Sequence, residues 1–309
     1  MAAVIYAVSQ FRYSKHQISS NYFSFLRFSS EIFVSKFARP PLPHSIWSTP
    51  VILGGFRIRK AGNLLTGSMF SDTPIVNDII ATGFTGIVAL SSLRLWQETA
   101  KHGIFDQKLN RKLMHISIGL IFMLCWPLFS PGRRGSYLAA VIPGLNIIKM
   151  VLVGSGICKD EATVKSMSRT GDYRELLKGP LYYATAITLA SILYWRDSPL
   201  SISVICNLCA GDGLADVVGR RFGHKKLPYN LNKSVAGSLA MAAAGFVSCV
   251  VYMHYFSMFG YMEKSWEKVL GFLLVSSATA LVESLPVSSE LDDNLTVPLA
   301  SILVGTLVF

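Results

Sequence analysis

Apolar runs long enough to enter or cross a bilayer recur along the chain, each bounded by charge, glycine or proline. They fall at 75–93, 113–129, 137–153, 180–195, 199–210, 235–259, 269–287 and 295–309. A chain with so many such runs has one workable solution, because helices satisfy their own backbone hydrogen bonds in lipid. The expected fold class is therefore all-α: a polytopic integral membrane helix bundle of about seven to eight transmembrane helices. Several runs are shorter than the roughly 20 residues a perpendicular span needs. The run at 199–210 must borrow from the polar stretch that follows it. Composition agrees, since a chain of 309 residues that is 51% hydrophobic and 15% charged is no ordinary soluble enzyme.

The formal charge of +11 could suggest a nucleic-acid binder, but its distribution argues otherwise. Residues 1–71 hold eight Lys/Arg against one acid, Glu31, which leaves 21 bases against 17 acids in the other 238 residues. The same N-terminal stretch is rich in serine and breaks at Pro40, Pro41 and Pro43. Basic, acid-poor and serine-rich is the composition of an organelle transit peptide. The expected organisation is a plastid transit peptide and disordered N-terminus over 1–71, then a membrane domain over 72–309, with a disordered cytosolic tail as the alternative. N-terminal sequencing of the mature protein that starts at Met1 or Ala2 would exclude the transit peptide. With eight spans, the loops after the odd-numbered ones carry fifteen Lys/Arg and the others five. That bias places the odd loops on the cytosol-equivalent side, the stroma in a plastid.

Polar residues concentrate after the fifth run. Asp212, Asp216 and Arg220 are spaced by four, so a helix puts them on one face. Acids entering a membrane segment cost about 2.5–3.5 kcal/mol each on insertion scales, so idle ones are rare. Gly211, Gly213 and Gly219 interleave with them, and 219–234 carries five Lys/Arg and no acid. Two carboxylates able to hold Mg²⁺, exposed backbone amides and a basic segment suit a nucleoside triphosphate. An ion-paired ladder with glycines at close helix contacts is the structural alternative. Lys233-Ser234 imitates the end of a Walker A loop, but Asn232 stands where glycine belongs. The Cys206/Cys209 pair lacks the further ligands a zinc site needs and reads as buried small hydrophobes.

The cluster, with Asn232-Lys233-Ser234 and Gly237-Ser238, resembles the nucleotide-binding region of the polyprenol kinase family: plant phytol and farnesol kinases, and more distantly dolichol kinase and the CDP-diacylglycerol synthases. Arg111-Lys112-Leu113-Met114-His115, the segment 124–129, the segment 175–182, Val282-Glu283-Ser284-Leu285-Pro286 and Asp292-Asp293-Asn294 are also similar to the plant members. The resemblance covers roughly 100–309. It implies an integral chloroplast membrane kinase that moves the terminal phosphoryl group of CTP or another nucleoside triphosphate onto an isoprenoid alcohol, phytol foremost, toward tocopherol. The nucleotide site would face the stroma.

On that reading Asp212 and Asp216 hold Mg²⁺, one of them accepting the alcohol proton, and Arg220, Arg221, Lys225 and Lys233 bind the triphosphate beside Ser234. Asp292 and Asp293 complete the metal site, and Arg111, Lys112 and His115 add phosphate contacts. For these last five, helix-end anchors and loop charges are the competing reading. Glu283 lies inside the seventh run, as a contact to the substrate hydroxyl or as a protonated structural acid. Lys149 is near enough to the end of its run to snorkel, and the Tyr182/Tyr183 pair reads as an interfacial aromatic belt.

The expected partners are the bilayer, the alcohol and the nucleotide, with no nucleic acid and no inferable protein partner. Farnesol or geranylgeraniol are alternative substrates. A cytidylyltransferase making a CDP-lipid shares the metal-and-base logic, and label from the alpha rather than the gamma phosphate of CTP would mark it. A transporter should show repeats and a midplane site, whereas the Gly-Asp-Gly segment has no counterpart in the first half.

Overall fold

A computed structural model describes residues 70–71, 73–286 and 291–309. The expected transit peptide lies almost wholly outside the described residues. Helix α1 spans Pro74–Lys101, with proline in its first turn. Helix α2 spans Gln107–Leu124, capped by Asp106, which accepts from the Leu109 amide. A 3₁₀ turn at Trp126–Leu128 leads to α3, Arg133–Gly154. A short α4, Glu161–Met167, and a 3₁₀ turn, Tyr173–Leu177, precede α5 at Gly179–Tyr194.

The central strut follows. Helix α6, Pro199–Cys206, runs through a π-helical turn, Asn207–Gly211, into α7, Asp212–Phe222. A hairpin of β1, Lys226–Leu227, and β2, Asn230–Ser234, comes next, within the basic segment 219–234. Ser234 caps α8, Val235–Met258, and Ser265 caps α9, Trp266–Ser284. Asp292 caps α10, Asp293–Val308.

Among the described residues, six helical stretches are long and apolar enough to cross a membrane: Pro74–Lys101, Gln107–Leu128, Arg133–Gly154, Tyr173–Tyr194, Pro199–Phe222 and Val235–Met258. Helix α10 is a shorter apolar helix, and α9 carries Glu267, Lys268 and Glu283 in only 19 residues. The bundle is polytopic and helical as expected, and the fifth run borrows α7 to reach full length.

Burial separates the centre of the bundle from its rim. In the apolar window of Pro199–Phe222, 72% of residues are buried, against 11% for Pro74–Lys101. The central strut is thus walled by α2, α5, α8, α9 and α10, and its side chains Ile202, Ile205 and Leu208 sit in the core with Met123, Trp126, Met241, Phe256 and Phe272. Outward-facing Ile79, Ile87, Leu90, Leu189, Val247, Leu274 and Leu303 are exposed, the pattern expected of a lipid-facing surface.

At the end of the bundle away from α7, Arg196 is 1% exposed. Its Nη1 donates to the carbonyls of Trp126 at 2.5 Å and Phe129 at 2.8 Å, and the guanidinium lies 3.7 Å from the Tyr261 ring centroid. Sequence alone counted this residue as a loop cation. It is an internal latch because the 3₁₀ turn after α2 offers it carbonyl oxygens. Lys149, by contrast, reaches out to Asp160 at 2.9 Å. Burial raises the Asp160 pKa, but hydrogen bonds from Lys149 and Thr163 prevail and bring it down to about 2.

Candidate functional site

The π-helical turn before Asp212 widens the strut where charge begins. The Asp212 amide donates to the Asn207 carbonyl, five residues back, in place of the Leu208 carbonyl. The Leu208 carbonyl meets His115 Nε2 at 2.8 Å instead. Lys112 and His115 lie one turn apart on α2 and face the strut together. Lys112 Nζ is 2.8 Å from Asp212 Oδ2, and His115 Nε2 is 3.4 Å from the same oxygen. The Lys112 and Asp212 side chains are only 8% and 3% exposed, so this ion pair is sealed from water.

A second group comes from the C-terminal third of the chain. Ser234 ends β2 and accepts from the Gly237 amide at 3.2 Å, which fixes the start of α8. Lys233, one residue earlier, turns inward. Its ammonium is ion-paired with Glu283 near the end of α9 and lies 3.3 Å from Asp293 Oδ2 at the start of α10. Burial opposes that charge, yet Asp293 and Glu283 hold the Lys233 pKa above the ordinary lysine value.

The two groups meet. One carboxylate oxygen each from Asp212, Glu283 and Asp293 lies within 4.8 Å of the others. Asp293 Oδ1 is also buried without a hydrogen-bond partner. Oxygen ligands of a hard divalent cation sit about 2.0–2.6 Å from it, so three oxygens this close span a coordination sphere. The donor set and the orphaned Asp293 oxygen both fit Mg²⁺.

The remaining expected residues are distributed around this group. Asp216 lies one turn further along α7, outside the trio and about a third exposed, paired with Arg220. Asp292 also stays outside, accepting from the Asn294 amide at 2.9 Å as the cap of α10. The Arg111 guanidinium is within electrostatic reach of Asp212 and Asp216, and its Nε is buried without a partner. Arg220, Arg221 and Lys225 are exposed at the end of α7 and beyond it.

The glycines sit at close contacts. A Cβ at Gly213 would lie 2.8 Å from Ile116 Cδ1, one at Gly219 would be 3.2 Å from Ser234 Oγ, and one at Gly211 would be 3.3 Å from the Met241 carbonyl. They bring α7 against α2 and α8. The three-way contact of Lys233 with Glu283 and Asp293 was not readable from spacing. Its one sequence signal is the polar stripe Ser276, Thr279 and Glu283 at helical intervals on α9, all buried.

Comparison with known proteins assigns the family. The chain is 68% identical over 241 residues to "Probable phytol kinase 3, chloroplastic" of Glycine max, covering 78% of this chain and 76% of that protein. It is 60% identical over 253 residues to "Farnesol kinase, chloroplastic" of Arabidopsis thaliana, covering 82% of each. The chain belongs to the plant phytol and farnesol kinase family. A third member, "Phytol kinase 1, chloroplastic" of Arabidopsis thaliana, is 37% identical over 273 residues, covering 86% of this chain and 90% of its own length. No protein-family model matches, and neither does any solved structure. As a kinase of this family the chain uses a nucleotide co-substrate. Its chloroplastic relatives and membrane-length helices point to a chloroplast membrane.

Proposed function

We propose that this prenyl-alcohol kinase transfers the terminal phosphoryl group of CTP, or another nucleoside triphosphate, to phytol. The observation that carries the reading is the convergence of Asp212, Glu283 and Asp293 with Lys112 and Lys233 at one end of an apolar bundle. Mg²⁺ bound by the three carboxylates would neutralise charge on the β- and γ-phosphates. Lys112 holds Asp212 in place with His115 3.4 Å from the same oxygen, and Lys233 holds Glu283 and Asp293. Arg220, Arg221 and Lys225 line the exposed approach and supply charge-assisted hydrogen bonds to phosphate oxygens. Asp216 keeps Arg220 oriented there.

Phosphoryl transfer asks mainly for such positioning and charge. The alcohol oxygen bonds to the γ-phosphorus as the bond to the β-phosphate oxygen breaks, and the hydroxyl proton passes to a carboxylate of the cluster. The alcohol reaches the site from lipid, while the nucleotide arrives from the stroma, the side on which the cation-rich loops lie. The product, phytyl phosphate, would feed tocopherol synthesis.

A second reading, farnesol or geranylgeraniol as acceptor, is favoured by one observation: the chain is 60% identical to the Arabidopsis farnesol kinase but 37% identical to Phytol kinase 1 of the same plant. The test is to incubate membranes carrying the chain with each alcohol and with CTP labelled at the gamma or alpha phosphate. Gamma label in a lipid monophosphate is expected, and the most efficient alcohol decides between the two readings. Alpha label in the lipid would make the chain a cytidylyltransferase, and no labelled lipid from any combination would sink the kinase reading.

A further inference from the structure

Tyr183 lies within α5, and phosphoryl transfer as described makes no use of it. Its surroundings are not those of an interfacial belt. The hydroxyl donates to the His115 carbonyl at 2.7 Å and accepts from the Gly119 amide at 3.0 Å. Those two groups are four residues apart on α2, the pair that ordinarily closes a helical turn. A side chain from another helix therefore reaches into the hydrogen-bond ladder of α2, a known cause of local helix deformation.

The Tyr183 ring also packs on the His115 ring, with centroids 4.4 Å apart. Gly119 makes the approach possible, because a Cβ there would sit 2.7 Å from the Tyr183 oxygen and collide with Cys209 Sγ. Tyr183 thus holds His115 twice, once by its backbone and once by its ring. Nε2 of that ring is 2.8 Å from the Leu208 carbonyl, which the π turn leaves to it, and 3.4 Å from Asp212 Oδ2. Three helices and one π turn are registered against one another through a single imidazole.

We infer that Tyr183 is a positioning residue of this kinase: acting through His115, it fixes the Asp212 carboxylate in the geometry that binds the divalent cation. The inference rests on the assignment of Asp212 as a cation ligand. A tyrosine that merely filled space would influence stability but not cation affinity.

The test uses the full chain purified in lipid nanodiscs, with Mn²⁺ as the probe. Mn²⁺ binding is read from the loss of the free-ion electron paramagnetic resonance signal, without nucleotide or alcohol. Tyr183→Phe keeps the ring and removes the hydroxyl, so Mn²⁺ affinity should fall about fivefold to tenfold, the scale of one hydrogen bond. The turnover number should fall with it while KM for the alcohol stays put. Tyr182→Phe, on a neighbouring and 37% exposed side chain, should match wild type. His115→Ala should weaken Mn²⁺ binding at least as much, and adding Tyr183→Phe to it should change nothing more.

Wild-type Mn²⁺ affinity in Tyr183→Phe, or additive losses in the double variant, overturns the inference. Should Tyr183→Phe not accumulate, His115→Ala decides alone: weakened Mn²⁺ binding supports the relay, and wild-type binding ends it. Asp212→Asn separates the two levels. Unchanged Mn²⁺ binding there removes the site assignment itself, whereas unchanged binding in Tyr183→Phe alone removes only the relay.

Discussion

Lys112 and Asp212, a hundred residues apart in the chain, form an ion pair of 2.8 Å that is almost closed to solvent. Removing one partner of such a pair strands the other charge in a low-dielectric interior. Lys112→Gln is therefore expected to lower stability by about 3–5 kcal/mol. A thermal-shift measurement in detergent checks this, and an unchanged melting temperature would contradict the buried pair.

The position of Glu283 makes a sharper distinction. It joins Asp212 and Asp293, whereas Asp216 points to Arg220 near the surface. Glu283→Gln should reduce the turnover number by at least about a hundredfold, as loss of a preorganised electrostatic group does. Asp216→Asn should remain within about tenfold of wild type, with its loss expressed in KM for the nucleotide, because an exposed pair is worth about 1 kcal/mol or less. The reverse order would return the metal site to the spacing-based pair of Asp212 and Asp216.

Arg196 predicts an effect on stability without one on chemistry. Truncation to alanine strips the donor from the Phe129 carbonyl in a buried setting, at about 1–3 kcal/mol, while the Trp126 carbonyl keeps the Phe129 amide at 3.3 Å. Thermal inactivation should accelerate, while KM for nucleotide and for alcohol in the surviving enzyme should equal wild type. A changed nucleotide KM would show that the latch communicates with the far end of the bundle.

Gly213 can be probed by a compensating pair. Gly213→Ala pushes a methyl into Ile116 and should cost about 1–3 kcal/mol, as overpacked cores do. Ile116→Ala in the same chain should restore part of that loss. Equal melting temperatures for the single and double variants would mean that α7 and α2 move apart freely.

Much of this architecture was legible because lipid imposes a simple code. Length and apolarity place the helices, and the short run at 199–210 already required the polar segment after it. Asp212 stood out because an acid at that depth must have a partner. The partners themselves were harder to read. Helical spacing put Asp216 beside Asp212, but α7 emerges from the bundle within that one turn, so burial drops between them. Lys233, Glu283 and Asp293 lie 50 and 60 residues apart and come from a hairpin and two helices, a meeting only tertiary packing creates. Tyr183 was misread as interfacial because its hydroxyl binds backbone groups, which no residue type marks. Arg196 was counted with the loops for the same reason.

The buried charges also have an order in time. Synthesis proceeds from the N-terminus, and Lys112 and His115 precede Asp212, just as Lys233 precedes Glu283 and Asp293. Each acid of the candidate site therefore finds its counter-charge already made. For these three acids the nascent chain does not have to carry an uncompensated carboxylate into the membrane while waiting for a base still on the ribosome.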